Sequence, residues 1–240
     1  MQSFGCVADN CTCPWGYYGD KCTQIATDCR DYKEKGYTRL RRVLTTIHPV
    51  NSTRPFEVSC YLNLVGSMVI FERDSSCSMQ NFNRSLHDYE IGFGNVPWNG
   101  WLGFDKIFQT SKPTMALHVI LKYASGLSCE VKYRYFSIGN KSSQYTFHAD
   151  RIQTNTIDFC GDSIMGGNGT LELTGRPFST FDSDLTGVNC PAILGGGWWF
   201  ANSSNCSDSF VTGSEMKDNF WRNLLQDQYI SKVVFKISYY

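Results

Sequence analysis

Residues 81–107 read NFNRSLHDYEIGFGNVPWNGWLGFDKI. Gly92, Gly94 and Gly103 let the backbone turn where a Cβ would clash, and Phe82, Tyr89, Phe93 and Trp101 are large enough to fill a core between those turns. These residues therefore read as structural, with the glycines turning the chain and the aromatics burying.

Outward from this stretch the chain is rich in strand signals. Upstream, RPFEVSCYLNL and GSMVIFERD are β-rich runs separated by turn formers. Before them, DCRDYKEKGYTRLRR is charged and helix-compatible from Asp28, which is placed to cap the first turn. Downstream, TMALHVILKY and SQYTFHAD flank CEVKYRYFSI. In that run Glu130, Lys132 and Arg134 alternate with Val131, Tyr133 and Tyr135, a period of two with one solvated face. ISKVVFKISYY alternates again, placing Val233, Phe235, Ile237 and Tyr239 on one side of a strand that belongs in a central sheet. Antiparallel strands with short turns and short helices predict an α+β fold with a twisted central sheet. No repeat or low-complexity linker divides the body of the chain, so residues 25–240 are expected to form one domain, with residues 1–24 set apart.

The order of these motifs resembles a fibrinogen C-terminal-like domain. The resemblance rests on Cys29, Phe56, Val58, Cys60, Gly66, Phe71 and Arg73. It continues through Phe82, Arg84, Tyr89, Gly92, Phe93, Gly94, Trp101, Leu102 and Gly103. Met68 and Leu86 stand where the family usually has Trp. The resemblance implies disulfides Cys29–Cys60 and Cys190–Cys206, and a loop-rich subdomain that holds calcium and ligand. Residues 6–22, CVADNCTCPWGYYGDKC, resemble the C-terminal half of an EGF-like module. Its Cys13–Cys22 pair would close a hairpin too small to have a core of its own. With four cysteines where a complete module has six, it reads as a partial copy serving as a spacer, and no metal is assigned to it.

Bulk properties narrow the function. Lys plus Arg and Asp plus Glu are 22 each, a balance that argues against nucleic-acid binding. Eleven cysteines without paired C-x-x-C knuckles, together with N-x-S/T acceptors at Asn10, Asn51, Asn83, Asn140, Asn168, Asn202 and Asn205, point to disulfides and secretion. Cys77, Cys129 and Cys160 fall outside the two family bridges and the EGF-like remnant. One pair and one free thiol are expected, with three pairings open. No run of about 18 apolar residues is present to insert in a membrane. MQSFGC has no signal-peptide pattern, so a mature or truncated piece of a secreted protein is expected. Motifs for serine hydrolases, zinc proteases, phosphate loops and dinucleotide binding are missing, so catalytic residues are expected to be none.

The candidate site is the stretch from Pro177 to Phe210, dominated by Gly, Ser, Asn, Asp and Pro, a long loop of the kind that is usually functional when ordered. Asp182 and Asp184 offer two hard oxygen donors in D-x-D spacing, with a solvated acidic turn as the alternative. By resemblance they are the calcium ligands, joined by the carbonyls of Thr186 and Val188. The segment between Phe181 and Cys190 is about two residues shorter than the family's fullest loop. The implied ligand pocket draws on Trp198, Trp199, Phe200, Asn205, Cys206, Ser207 and Tyr229, with a cis bond before Cys206 as a family trait. Core packing is the alternative for the two tryptophans. Family lectins follow the second cysteine with His and then Asn-Leu-Asn-Gly, whereas here the chain runs Ser207-Asp208-Ser209-Phe210. The expected function is a secreted, lectin-like recognition protein similar to invertebrate fibrinogen-related lectins of innate immunity. Such a protein binds glycans or acetylated surface groups with calcium support, and a homo-oligomer is compatible with this. The alternative is a protein-binding adhesion, matrix or receptor-ligand module of the tenascin or angiopoietin type.

Overall fold

The computed structural model describes residues 6–7, 10–11, 13, 16–36, 41–63, 65–77, 80–96, 98–151, 161–165, 171–222 and 229–239. Nine strands build the main sheet: β1 (Arg42–Ile47), β2 (Phe56–Tyr61), β3 (Ser67–Asp74), β4 (Phe93–Asn95), β5 (Asn99–Trp101), β6 (Met115–Tyr123), β7 (Ser128–Ile138), β8 (Phe147–Arg151) and β9 (Ile230–Tyr239). Their order is β8-β7-β6-β9-β3-β2-β1, with the β4–β5 hairpin attached to β3 through β5, and every pairing is antiparallel. The last strand in chain order thus sits between β6 and β3. Val233, Phe235, Ile237 and Tyr239 are all buried, as the alternation predicts.

Among the described residues four short helices complete the α+β fold: α1 (Cys29–Glu34), α2 (Leu86–Ile91), α3 (Phe104–Thr110) and α4 (Cys190–Leu194). Asp28 caps α1, accepting from the backbone N–H groups of Arg30 and Asp31. The helix-compatible stretch is cut to six residues because Gly36 takes φ +96°, and by Arg42 the chain is already in β1. A capping box of Ser85 and Asp88 starts α2. Gly92 and Gly103 both have positive φ, and a Cβ on either would run into the backbone of the other's segment, so only glycine lets the α2–β4 and β5–α3 junctions touch.

Two strand expectations need correction. Between Arg134 and Ser137 the β7–β8 register shifts, and Tyr135 adopts φ +49°. This bulge turns Tyr135 outward and Phe136 into the core, breaking the alternation that placed Tyr135 with Val131 and Tyr133. In SQYTFHAD only Phe147 onward is strand. Lys141–Ser143 forms a 3-10 turn, followed by left-handed Gln144 and Tyr145.

On one side of the sheet, aromatic rings from separate segments meet. Tyr89 lies 4.8 Å from Phe178, Phe104 stacks on Tyr145 at 4.3 Å, and Phe178 lies 4.9 Å from Trp199. On the other face Glu72 is fully buried between Arg42 and Lys232, with Lys232 Nζ 2.7 Å from its carboxylate. Residues 16–26 pack against the domain: Tyr17–Tyr18 pairs with Gln24–Ile25, and the Ala26 carbonyl accepts from His48 N–H at 2.8 Å.

Candidate functional site

The base of the loop from Pro177 to Phe210 is built into the core. Ser179 and Trp198 exchange backbone hydrogen bonds of 2.9 and 3.1 Å, and Phe178 is buried among Tyr89, Phe104 and Trp199. The Cys190–Cys206 disulfide closes the far end. Cys29–Cys60 and Cys13–Cys22 are also bonded, as the resemblances implied. Cys129 is disulfide-bonded, Cys77 carries a free thiol, and Cys160 lies outside the described residues.

The two loop carboxylates have different tasks. Asp182 Oδ1 accepts from the backbone N–H of Leu86, the first residue of α2, at 2.9 Å and from the Thr180 hydroxyl at 2.7 Å. Asp182 thereby ties the loop to a helix 96 residues earlier. Asp184 organises its own turn. Its Oδ1 accepts from Thr186 N–H and Oγ1, and its Oδ2 accepts from Asn189 N–H at 3.2 Å. The buried Thr186 Oγ1 in turn accepts from the N–H groups of Val188 and Cys190.

This donor set fits a hard cation in kind. Among the described residues no hydrogen bond ends on Asp182 Oδ2, and one ends on Asp184 Oδ2. Among the described residues no lysine or arginine pairs with either carboxylate, and no hydrogen bond ends on the carbonyls of Thr186 or Val188. The loop also exposes an apolar rim: Phe181 is 53% and Ile193 64% exposed, with Leu185 and Val188 each at 37%.

Most of the remaining candidates are buried. Trp198, Trp199 and Phe200 are core residues. Trp199 Nε1 donates to the Tyr145 carbonyl at 2.7 Å, and Trp198 packs on Trp199 at 5.3 Å and on Phe235 at 6.1 Å. They have no face free to stack on a sugar, which corrects the expectation that they wall a ligand pocket. Asn205 is exposed, but Cys206 and Ser207 are buried, with Ser207 Oγ donating to the Ser209 carbonyl at 2.7 Å. The Asn205–Cys206 bond is trans, and Cys206 takes φ +59°. Tyr229 is 41% exposed and attaches elsewhere, its carbonyl accepting from Ala124 N–H at 2.9 Å beyond the end of β6.

The organising roles of some residues escaped sequence reasoning. Arg73, its pKa lowered to about 10 by burial, donates to the carbonyls of Gly213 and Ser214 and to Asn219 Oδ1, pinning the segment after the loop. The buried Asp208 pairs with Arg222 at 2.8 Å. Glu90 accepts from Tyr145 OH at 2.7 Å and pairs with Lys141 Nζ at 2.8 Å. The Lys141 bond holds the Glu90 pKa below the usual carboxylate value. Among the acceptor asparagines, Asn51, Asn83, Asn140, Asn202 and Asn205 are exposed, and the side chains of Asn10 and Asn168 lie outside the described residues.

A single antiparallel sheet that presents a disulfide-closed acidic loop with an apolar rim defines a binding domain that displays one loop from a rigid scaffold. Residues 25–231 match the fibrinogen beta and gamma chains, C-terminal globular domain, and the chain belongs to this family. It is 31% identical over 181 residues to angiopoietin-4 of Bos taurus, covering 74% of this chain and 34% of that one. It is 30% identical over 195 residues to angiopoietin-1 of Homo sapiens, covering 78% and 36%. The chain therefore spans about a third of the length of these curated relatives. Among solved structures, the fibrinogen-like globe domain of human ANGPTL2 superposes with a TM-score of 0.74 at 28% identity, covering 88% of this chain and 98% of that one. Lamprey fibrin D-dimer, solved with the peptide ligand Gly-His-Arg-Pro-amide, superposes with a TM-score of 0.73 at 21% identity, covering 89% and 73%, and supports the fold alone. The fibrinogen-type domain is a non-enzymatic, ligand-binding one. No helix among the described residues is long and apolar enough to cross a membrane.

Proposed function

We propose that this chain is a secreted, non-catalytic recognition module that grips a polypeptide partner through the rim formed by Phe181, Leu185, Val188 and Ile193. The observation that carries this reading is the exposure of those four apolar side chains on a loop whose base is rigid. Exposed apolar groups carried on one loop suit a protein contact. The alternative raised from sequence, a receptor-ligand module of the angiopoietin type, is favoured over glycan binding, because Trp198, Trp199 and Phe200, the aromatic residues implied for a sugar pocket, are buried. The resemblance to angiopoietin-1 and angiopoietin-4 supports the same choice.

Calcium fits this reading as a brace. When bound through Asp182, Asp184 and the carbonyls of Thr186 and Val188, it supplies a multivalent electrostatic tether for the loop. The side chains of this chain do the rest, with Asp182 holding the loop to α2 and Thr186 closing the turn beneath Val188. Residues 1–24 serve as a spacer of partial EGF-like type, its hairpin closed by Cys13–Cys22.

Binding of fluorescent protein to cultured cells tests the assignment. Protease-shaved cells should lose binding, glycosidase-treated cells should keep it, and a Phe181→Ser/Ile193→Ser variant should bind at least tenfold more weakly. Retained binding by that variant, or a calcium-dependent hit on a glycan array, would overturn it.

A further inference from the structure

Between α3 and the 3-10 turn at Lys141–Ser143 lies a cavity of about 380 Å³. Phe104, Phe108 and Tyr145 supply its apolar surface, Glu90 and Lys141 its ion pair, and Asn140 its rim. Phe108 is 53% exposed. The cavity thus combines an open aromatic face with fixed charged groups, the composition of a small polar-ligand site.

Asn140 is the first residue of an Asn-Lys-Ser acceptor. Its Oδ1 is occupied, accepting from Ser143 N–H at 3.1 Å and from Ser142 Oγ at 2.7 Å, while Nδ2 makes none of the bonds that hold the turn. A sugar on Nδ2 leaves Oδ1 and its two hydrogen bonds in place, so the turn tolerates the modification. It also puts the first sugar at the mouth of the cavity that Asn140 lines.

We propose that Asn140 is N-glycosylated and that the first N-acetylglucosamine folds back into this cavity. Its apolar ring face lies on Phe108, and its acetamide and hydroxyls meet Lys141 and Glu90. In the attachment step Nδ2 loses one proton and bonds to C1 of the sugar. The bond from C1 to the lipid-linked diphosphate donor breaks, and the lipid diphosphate leaves with the electron pair. The proposal rests on the secretory part of the function proposed above, and it gives the exposed ring of Phe108 a covalently tethered cover.

The test uses the full chain secreted from a eukaryotic host behind an added leader. Mass spectrometry of the glycopeptide should find sugar on Asn140. Ser142→Ala, which removes the acceptor but not Asn140, should lower the Tm by about 2–4 °C more in the Phe108 protein than in a Phe108→Ser background. Protein from the same cells grown with an N-glycosylation inhibitor should show equal losses in both backgrounds. An Asn140 peptide without sugar overturns the proposal, as do equal losses in the glycosylated protein or an undiminished difference under the inhibitor. Sugar on Asn51 or Asn202 with Asn140 bare would overturn this proposal and leave secretion standing. A chain with no sugar at any acceptor would overturn this proposal as well.

Discussion

Replacing Asp182 separates its hydrogen bonds from the calcium role proposed for it. Its Oδ1 takes two hydrogen bonds, from Leu86 N–H and Thr180 Oγ1, while Oδ2 is the oxygen assigned to the cation in that proposal. Bonds to a charged acceptor contribute about 1.5–3 kcal/mol each at most. This partly exposed site lowers that, so Asp182→Ala should cost about 2–3 kcal/mol even in chelator. For a domain of this size, that is a Tm lower by about 4–12 °C. Asp182→Asn keeps an amide oxygen for the same donors and should cost under about 1 kcal/mol in chelator. Calcium should then distinguish the variants. With a dissociation constant of about 0.1–1 mM, ordinary for extracellular modules, 10 mM calcium stabilises by about 1.4–2.7 kcal/mol. Wild type should gain about 3–10 °C from calcium, and both variants should gain almost none. Differential scanning calorimetry in chelator and in calcium reads all six states. If Asp182→Ala melts with wild type in chelator, the tether to α2 is irrelevant to stability. If Asp182→Asn keeps the calcium increment, the ion does not use this side chain.

Two further outcomes follow from the charged face of the sheet. Glu72→Ala leaves Arg42 and Lys232 without the buried carboxylate they share, and should cost about 3–5 kcal/mol in urea unfolding; a loss below about 1 kcal/mol would mean water satisfies both cations. The pKa of Glu130 is lowered to about 2 by its hydrogen bond to His118, with Lys236 adding to it against the opposing effect of burial. Partial burial opposes ionisation of Asp74, yet bonds from Ser76 and Lys232 outweigh it and bring that pKa to about 2 as well. Both folded values lie below the unfolded carboxylate range of about 4, so the stabilisation is complete above that pH and is lost as pH falls toward 2. The urea midpoint should be flat from about pH 7 to 5 and fall steeply from about pH 4 to 2, with a shallower fall in Glu130→Gln.

The strands were legible because a half-buried sheet writes its period of two into the chain, as in Val233, Phe235, Ile237 and Tyr239. Tyr135 was not, because a bulge inserts a residue without leaving a mark in the alternation. The short α1 was half legible: Asp28 announced its start, but Gly36 ended it before Arg42, whose charge suits a helix as well as a strand edge. Within the site, Asp182 and Asp184 stood out by spacing, whereas the fate of Trp198 and Trp199 did not. The signal lay in the preceding glycines. A Cβ on Gly197 would strike the rings of Tyr89 and Phe178, so the glycine run seats the tryptophans against the core and does not open a pocket. The Glu90–Tyr145 bond joins residues 55 positions apart, a pairing that local pattern does not encode.

The central place of β9 sets the order in which the molecule can be made. Its neighbours β3 and β6 are synthesised long before it, and β3 ends roughly 156 residues ahead of the start of β9. At about 5–20 residues per second, a ribosome leaves the edge of β3 open for on the order of 8–30 s and that of β6, which ends at Tyr123, for on the order of 5–20 s. During that interval the nascent chain is two separate half-sheets, each with a long unpaired border able to template aggregation. The domain therefore cannot fold progressively as it emerges. It closes in one late step when residues 230–239 slide between the halves, so a chain truncated anywhere before Ile230 is expected to need a chaperone and never to reach the native state.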